Sequence, residues 1–157
     1  MSKAKNLRVL TGFYALCFLI QMAGATITAG SVDTWYRLLE KSTLTPPGYW
    51  FGIVWSILYV LMAVAAWRVW KVERKLNTDA QRIWLIQLVT GLLWSQIFFG
   101  MQRIEAGLVI IVCLWALILC TYTRFRRIDA WAGRLLLPLV AWVSFATYLQ
   151  AMIVHLN

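Results

Sequence analysis

Five stretches of this chain contain no Asp, Glu, Lys or Arg: Val9–Val32 (24 residues), Ser42–Trp67 (26), Ile83–Gln102 (20), Ala106–Thr123 (18) and Leu135–Asn157 (23). Each is close to the ~20 residues that an α-helix needs to cross a ~30 Å hydrocarbon core. Together they take up 111 of the 157 residues, which leaves only short connections. A soluble unit of this size could not hide a composition that is 62% hydrophobic and 13% charged, because a small body keeps much of its surface in water. The expected fold class is therefore an all-α membrane protein. It is a five-transmembrane-helix bundle with spans at about 9–29, 49–70, 83–100, 106–123 and 134–155, a single domain over 1–157 whose long helix 1–helix 2 connection is expected to act as a lid.

The net charge of +9 is not spread evenly. Lys3, Lys5, Arg8, Arg68, Lys71, Arg74, Lys75, Arg82, Arg124, Arg126, Arg127 and Arg134 fall on one side of the predicted spans; Arg37, Lys41 and Arg103 fall on the other. Twelve against three in short loops is the positive-inside pattern. It predicts a multi-pass protein with its N-terminus in the cytoplasm and its C-terminus outside. The same distribution assigns these cations to topology and membrane lipid, so no nucleic-acid partner is expected.

Reactive chemistry is sparse. Cys17, Cys113 and Cys120 lie inside apolar runs without metal-ligand spacing and read as small hydrophobes. His155 stands near the chain end, and no Asp or Glu lies within a span except Glu105 at an edge. No carboxylate pair, nucleophile elbow, glycine-rich phosphate loop or metal cluster appears, so no metal and no required cofactor are expected. Asp33 is placed to cap a short interfacial helix over 33–41, Pro46 and Pro47 to break it, and Asp129 to cap the last span.

The ten tryptophans carry the remaining signal. Trp35, Trp50, Trp67, Trp70, Trp84 and Trp131 fall near span ends, where indole suits the headgroup level. Trp55, Trp94, Trp115 and Trp142 fall deeper, where no water serves the indole N–H and each needs a protein or ligand acceptor. Trp115 is assigned to packing. The others belong to stripes at helical spacing: Trp55, Tyr59, Met62 and Ala66; Trp84, Gln87, Gly91, Trp94 and Phe98; Pro138, Trp142, Phe145, Leu149 and Met152. Such stripes serve either helix–helix packing or the walls of a flat apolar pocket.

Several segments carry a family likeness: Trp35-Tyr36, Leu39-Glu40-Lys41 and Thr45-Pro46-Pro47-Gly48; Trp55-Ser56-Ile57-Leu58-Tyr59; Leu93-Trp94-Ser95-Gln96-Ile97-Phe98-Phe99-Gly100; Ala132-Gly133 with Pro138; and Trp142-Val143-Ser144-Phe145-Ala146-Thr147-Tyr148-Leu149. In order and spacing the chain resembles the translocator protein / tryptophan-rich sensory protein (TspO) family, once called peripheral benzodiazepine receptors. It departs from that pattern at Leu44, Gln96 and Gln150.

The resemblance implies a five-helix bundle, usually a homodimer, that binds a porphyrin such as protoporphyrin IX and sequesters, senses or transports it. It implies pocket tryptophans at Trp55 and Trp142; with the stripes, the expected ligand contacts are Trp55, Tyr59, Gly91, Trp94, Phe98, Trp142 and Phe145, with Trp35, Tyr36, Arg37, Lys41, Pro46 and Pro47 in the lid. Arg37 and Lys41 are the candidate rim for the propionates. Two other readings stand beside it. One is a light-dependent porphyrin-degrading enzyme with Trp55 and Trp142 as redox partners. The other is a lipid- or sterol-binding scaffold without chemistry.

Overall fold

The computed structural model describes residues 3–157. Five helices account for nearly all of them: α1 Lys3–Ser31, α2 Gly48–Glu73, α3 Asp79–Ser95, α4 Ile104–Ile128 and α5 Ala130–Leu156. All five are long and apolar enough to span a bilayer once the turns that extend α1 and α3 are included. α1 packs between α2 and α3, α2 between α1 and α5, and α4 between α5 and α3, closing a ring in the order α1–α2–α5–α4–α3.

The expected break after helix one is absent. α1 passes through a π-helical turn, Val32–Tyr36, and stays helical to residue 38. Asp33 thus lies inside the turn and caps no separate interfacial helix. The reason is tertiary: the Ser31 hydroxyl donates to the Phe99 carbonyl at 2.7 Å, and Trp35 and Tyr36 set their ring edges against Phe98 at 5.4 and 6.1 Å. Phe98 and Phe99 sit in a second π-helical turn, Gln96–Gly100, that ends α3. Within this connection only residues 39–47 are irregular, and Pro47 with φ −54° and ψ 144° sets the entry into α2.

The bundle divides along its axis. In the half that holds the start of α1, small side chains let the helices close: Ala63, Ala65 and Ala66 of α2 and Ala132 of α5 have no accessible surface. At Gly133 an added Cβ would lie 2.6 Å from the Arg126 Cβ and 2.8 Å from its Cα. Close backbone approach through small residues is how helices associate where lipid offers no hydrophobic drive. Trp70 and Trp84, expected at the headgroup level, are instead buried here; Trp84 meets Phe13 edge-on at 5.4 Å. Ring closure turned their faces inward.

Asp129 caps α5 as the sequence predicts. Its Oδ1 accepts the backbone N–H of Trp131 at 2.8 Å and of Ala132 at 3.0 Å, while Oδ2 lies 2.9 Å from an Arg68 nitrogen on α2. Partial burial opposes its ionisation. The Ala132 N–H, the Arg68 guanidinium and the Trp131 N–H outweigh that and hold its carboxyl below the usual value.

Candidate ligand cavity

The other half of the bundle is hollow. A cavity of about 460 Å³ lies among α1, α2, α3 and α5, within the ~300–1,000 Å³ usual for small-molecule sites. α1 contributes Gln21, Gly24, Ala25, Thr28 and Ala29, then Val32, Asp33 and Tyr36 from its π turn. α2 contributes Gly48, Phe51, Gly52, Trp55 and Tyr59. Gly91, Trp94, Ser95, Phe98 and Phe99 come from α3 and its π turn, and Ala146, Leu149, Gln150 and Ile153 from α5.

The walls follow from local sequence. On α1 the small residues recur every three or four positions, which puts them on one face. On α2, Phe51 and Trp55 stand one turn apart with Gly52 beside them, so large rings border empty space. An added Cβ at Gly52 would meet nothing within 4 Å. The Gln21 amide donates to Ser56 Oγ at 2.7 Å, and Ser56 donates to the Gly52 carbonyl at 2.8 Å, holding α1 to α2 beside Trp55. At the back wall the Gln150 amide donates to the Ile104 carbonyl at 3.0 Å.

Aromatic faces dominate. Trp94 stacks on Phe98 at 5.8 Å and 15° between planes, and Trp55 tilts against Tyr59 at 5.9 Å. The buried indole N–H of Trp94 has no hydrogen-bond acceptor among the described residues. An unpaired donor in an apolar medium is costly; the buried indoles of Trp84 and Trp142 are unpaired in the same way, although neither lines the cavity. By contrast Trp115 is served, since its N–H reaches Ser144 Oγ on α5 at 2.8 Å.

Trp55, Tyr59, Gly91, Trp94 and Phe98 thus converge on one space. Trp142 and Phe145 do not line it; Trp142 packs against Phe51 at 5.5 Å and Phe145 at 6.0 Å, one layer behind the Phe51 wall. The α5 face on the cavity is 146, 149, 150 and 153, turned from the aromatic stripe and sharing only Leu149 with it.

Of the expected lid residues Tyr36 alone reaches the wall, and Trp35 packs edge-on against Phe98. Arg37 is exposed. Lys41 is committed elsewhere: its ammonium donates to the carbonyls of Leu39 at 2.6 Å and Tyr36 at 2.9 Å and sits 5.0 Å from the Tyr36 ring centre. It therefore caps the end of helix one, as cations do at helix C-termini. Pro46 and Pro47 shape the entry to α2 without lining the cavity. Asp33 is the one charged side chain among the wall residues.

The connection is tied down on its far side. The Asn157 side chain accepts the Glu40 N–H at 3.0 Å and donates to the Glu40 carbonyl at 2.9 Å. Sequence reasoning missed this clasp and the α1 wall. The α1 signal was the spacing of Gly24, Ala25, Thr28 and Ala29; no local signal marks Asn157 as a partner of Glu40.

A ring of five membrane-spanning helices, with an aromatic cavity among four of them, defines an integral multi-pass membrane protein with a cavity of small-molecule size. The TspO/MBR family model matches residues 13–156, and the chain belongs to that family. It is similar to the tryptophan-rich protein TspO of Chlorobaculum tepidum, 39% identical over 157 residues and covering 98% of each chain. It is also similar to the protein CrtK of Rhodobacter capsulatus, 35% identical over 86% of each chain. The human translocator protein is 29% identical over 81% of this chain and 77% of its own.

Proposed function

We propose that the protein binds a tetrapyrrole in this cavity and sequesters, senses or passes it on. The observation that carries the reading is the aromatic wall: a stacked Trp94–Phe98 pair that lines one apolar space together with Phe51, Trp55 and Tyr59. A porphyrin offers flat π faces to such rings. The names of relatives, tryptophan-rich sensory protein and translocator protein, fit a binding role in a membrane. Among the described residues no cation lines the wall, so the macrocycle enters and the propionates stay at the mouth, on the side where Arg37 is exposed. The connection over 31–48 acts as the lid, with the Asn157–Glu40 clasp as its latch. The basic end of the bundle faces the cytoplasm, which puts the cavity in the outer half of the membrane.

Titration of purified protein with protoporphyrin IX, first in darkness and then under light, tests this. Saturable dark binding without product is expected. Trp55→Phe should weaken binding and fluorescence quenching more than Trp142→Phe, with Trp115→Phe unchanged. Light-driven loss of the porphyrin Soret band would favour the degrading enzyme, and an absence of binding the scaffold. Equal losses in all three variants would remove the site assignment.

A further inference from the structure

A second recess lies at the opposite, basic end. It has a volume of about 550 Å³ and sits between the 74–78 link, the start of α3 and the end of α4. Lys75, Arg124 and Arg127 line it, with Asn77 and Thr78 between them. Arg124 and Arg127 are three residues apart on α4 and share a face.

Most neighbouring cations are engaged. Arg68 is paired with Asp129 and Arg82 with Asp79. Lys71 lies over Trp67, Arg134 over Trp131, and Arg126 over Tyr122. Lys75, Arg124 and Arg127 have no ion pair among the described residues, and all three are exposed. Two carboxylates border the recess, Glu73 and Asp79, and each is already held, Glu73 by the Thr78 hydroxyl and Asp79 by Arg82.

We infer that this recess is a binding site for the phosphate of an anionic glycerophospholipid headgroup. Guanidinium pairs fit phosphate oxygens with two parallel N–H donors. Basic pockets between spans at headgroup depth recognise anionic lipid. Depth is marked by Trp67 and by the exposed Trp131, both at this end of the bundle. Leu76, 62% exposed among the cations, gives the recess an apolar lip for the glycerol and upper acyl region.

Native mass spectrometry of the full chain, released from nanodiscs holding equal phosphatidylglycerol and phosphatidylcholine, tests this site. Phosphatidylglycerol should dominate the first retained lipid. Arg124→Gln and Arg127→Gln should each lower that preference about tenfold, the loss of one charge-assisted hydrogen bond to phosphate. Arg126→Gln, in the same basic cluster but outside the recess, should leave it intact. Circular dichroism checks that all variants are folded. No headgroup preference, or an equal fall with Arg126→Gln, would reduce the effect to diffuse charge and overturn the site. Stabilisation of lipid-free protein by inorganic phosphate as large as that by phosphatidylglycerol would overturn the lipid as its occupant.

Discussion

Two halves of one bundle are built from the same helices and similar residues, yet one is closed and the other hollow. The difference is what the small residues meet. Near the basic end Gly133 meets the backbone of Arg126. On the cavity wall two glycines meet space: Gly52 has nothing within 4 Å, and an added Cβ at Gly91 would approach only the Leu114 Cδ2, at 3.9 Å, whereas one at Gly107, on α4 behind the wall, would lie 3.1 Å from Phe98. There the rings of Trp94, Phe98, Phe51 and Trp55 border the opening, and the glycines leave its volume empty. A small residue closes a membrane bundle or opens it according to whether another helix's backbone or open space lies opposite it.

This contrast is broken most sharply at the closed end. Phe125, with no accessible surface, should cost about 2–3 kcal/mol when changed to Ala, measured by denaturant titration in micelles. The cost is the lost packing of a cavity, since the apolar transfer term largely cancels against lipid. The folded fraction of Phe125→Ala should bind ligand normally. A loss of affinity there would mean the halves are not independent.

The paired glycines come next. Gly133→Ala should destabilise by about 2 kcal/mol, because the Arg126 backbone must move. Gly91→Ala should leave stability unchanged or raise it by up to about 0.5 kcal/mol, from helix propensity. Equal destabilisation at both positions would show that the cavity half is as tightly packed as the other.

A smaller effect joins α2 to the start of α5. Asp129→Ala removes a cap and an ion pair, and should cost about 1–2 kcal/mol. The folded carboxyl titrates below its unfolded value, so its contribution is complete above the unfolded pKa of about 3.9. It is lost as pH falls through the lower folded value. Melting followed from pH 7 downward should therefore show the wild type converging on Asp129→Ala only under strong acid. Convergence near neutral pH would contradict the assignment.

Spans and the Asp129 cap were legible in the sequence because each depends on local composition, whereas the Asp33 cap failed because tertiary contacts carry α1 on through it. The Asp129 cap needed only its own position ahead of an apolar run. The stripe Trp84, Gln87, Gly91, Trp94 and Phe98 was legible as a face but not as a function, since its first two residues are buried in the closed half and its last three line the cavity. That split depends on what the other helices bring to each level, which periodicity does not encode. The same holds for the lid cation. Lys41 looked free beside a predicted break, but a helix continued by contacts with Phe98 and Phe99 presents carbonyls for its ammonium to cap. Trp142 failed to reach the wall because Phe51, from another helix, stands in front of it.

The central claim is that the hollow half is a ligand site rather than loose packing. Gly52→Phe tests it most directly, because it fills the cavity from a position with open space and leaves the closed half untouched. Protoporphyrin IX should titrate wild-type protein to saturation and fail to bind Gly52→Phe, whose melting temperature should match or exceed that of the wild type. Undiminished binding to a folded Gly52→Phe variant would contradict the account.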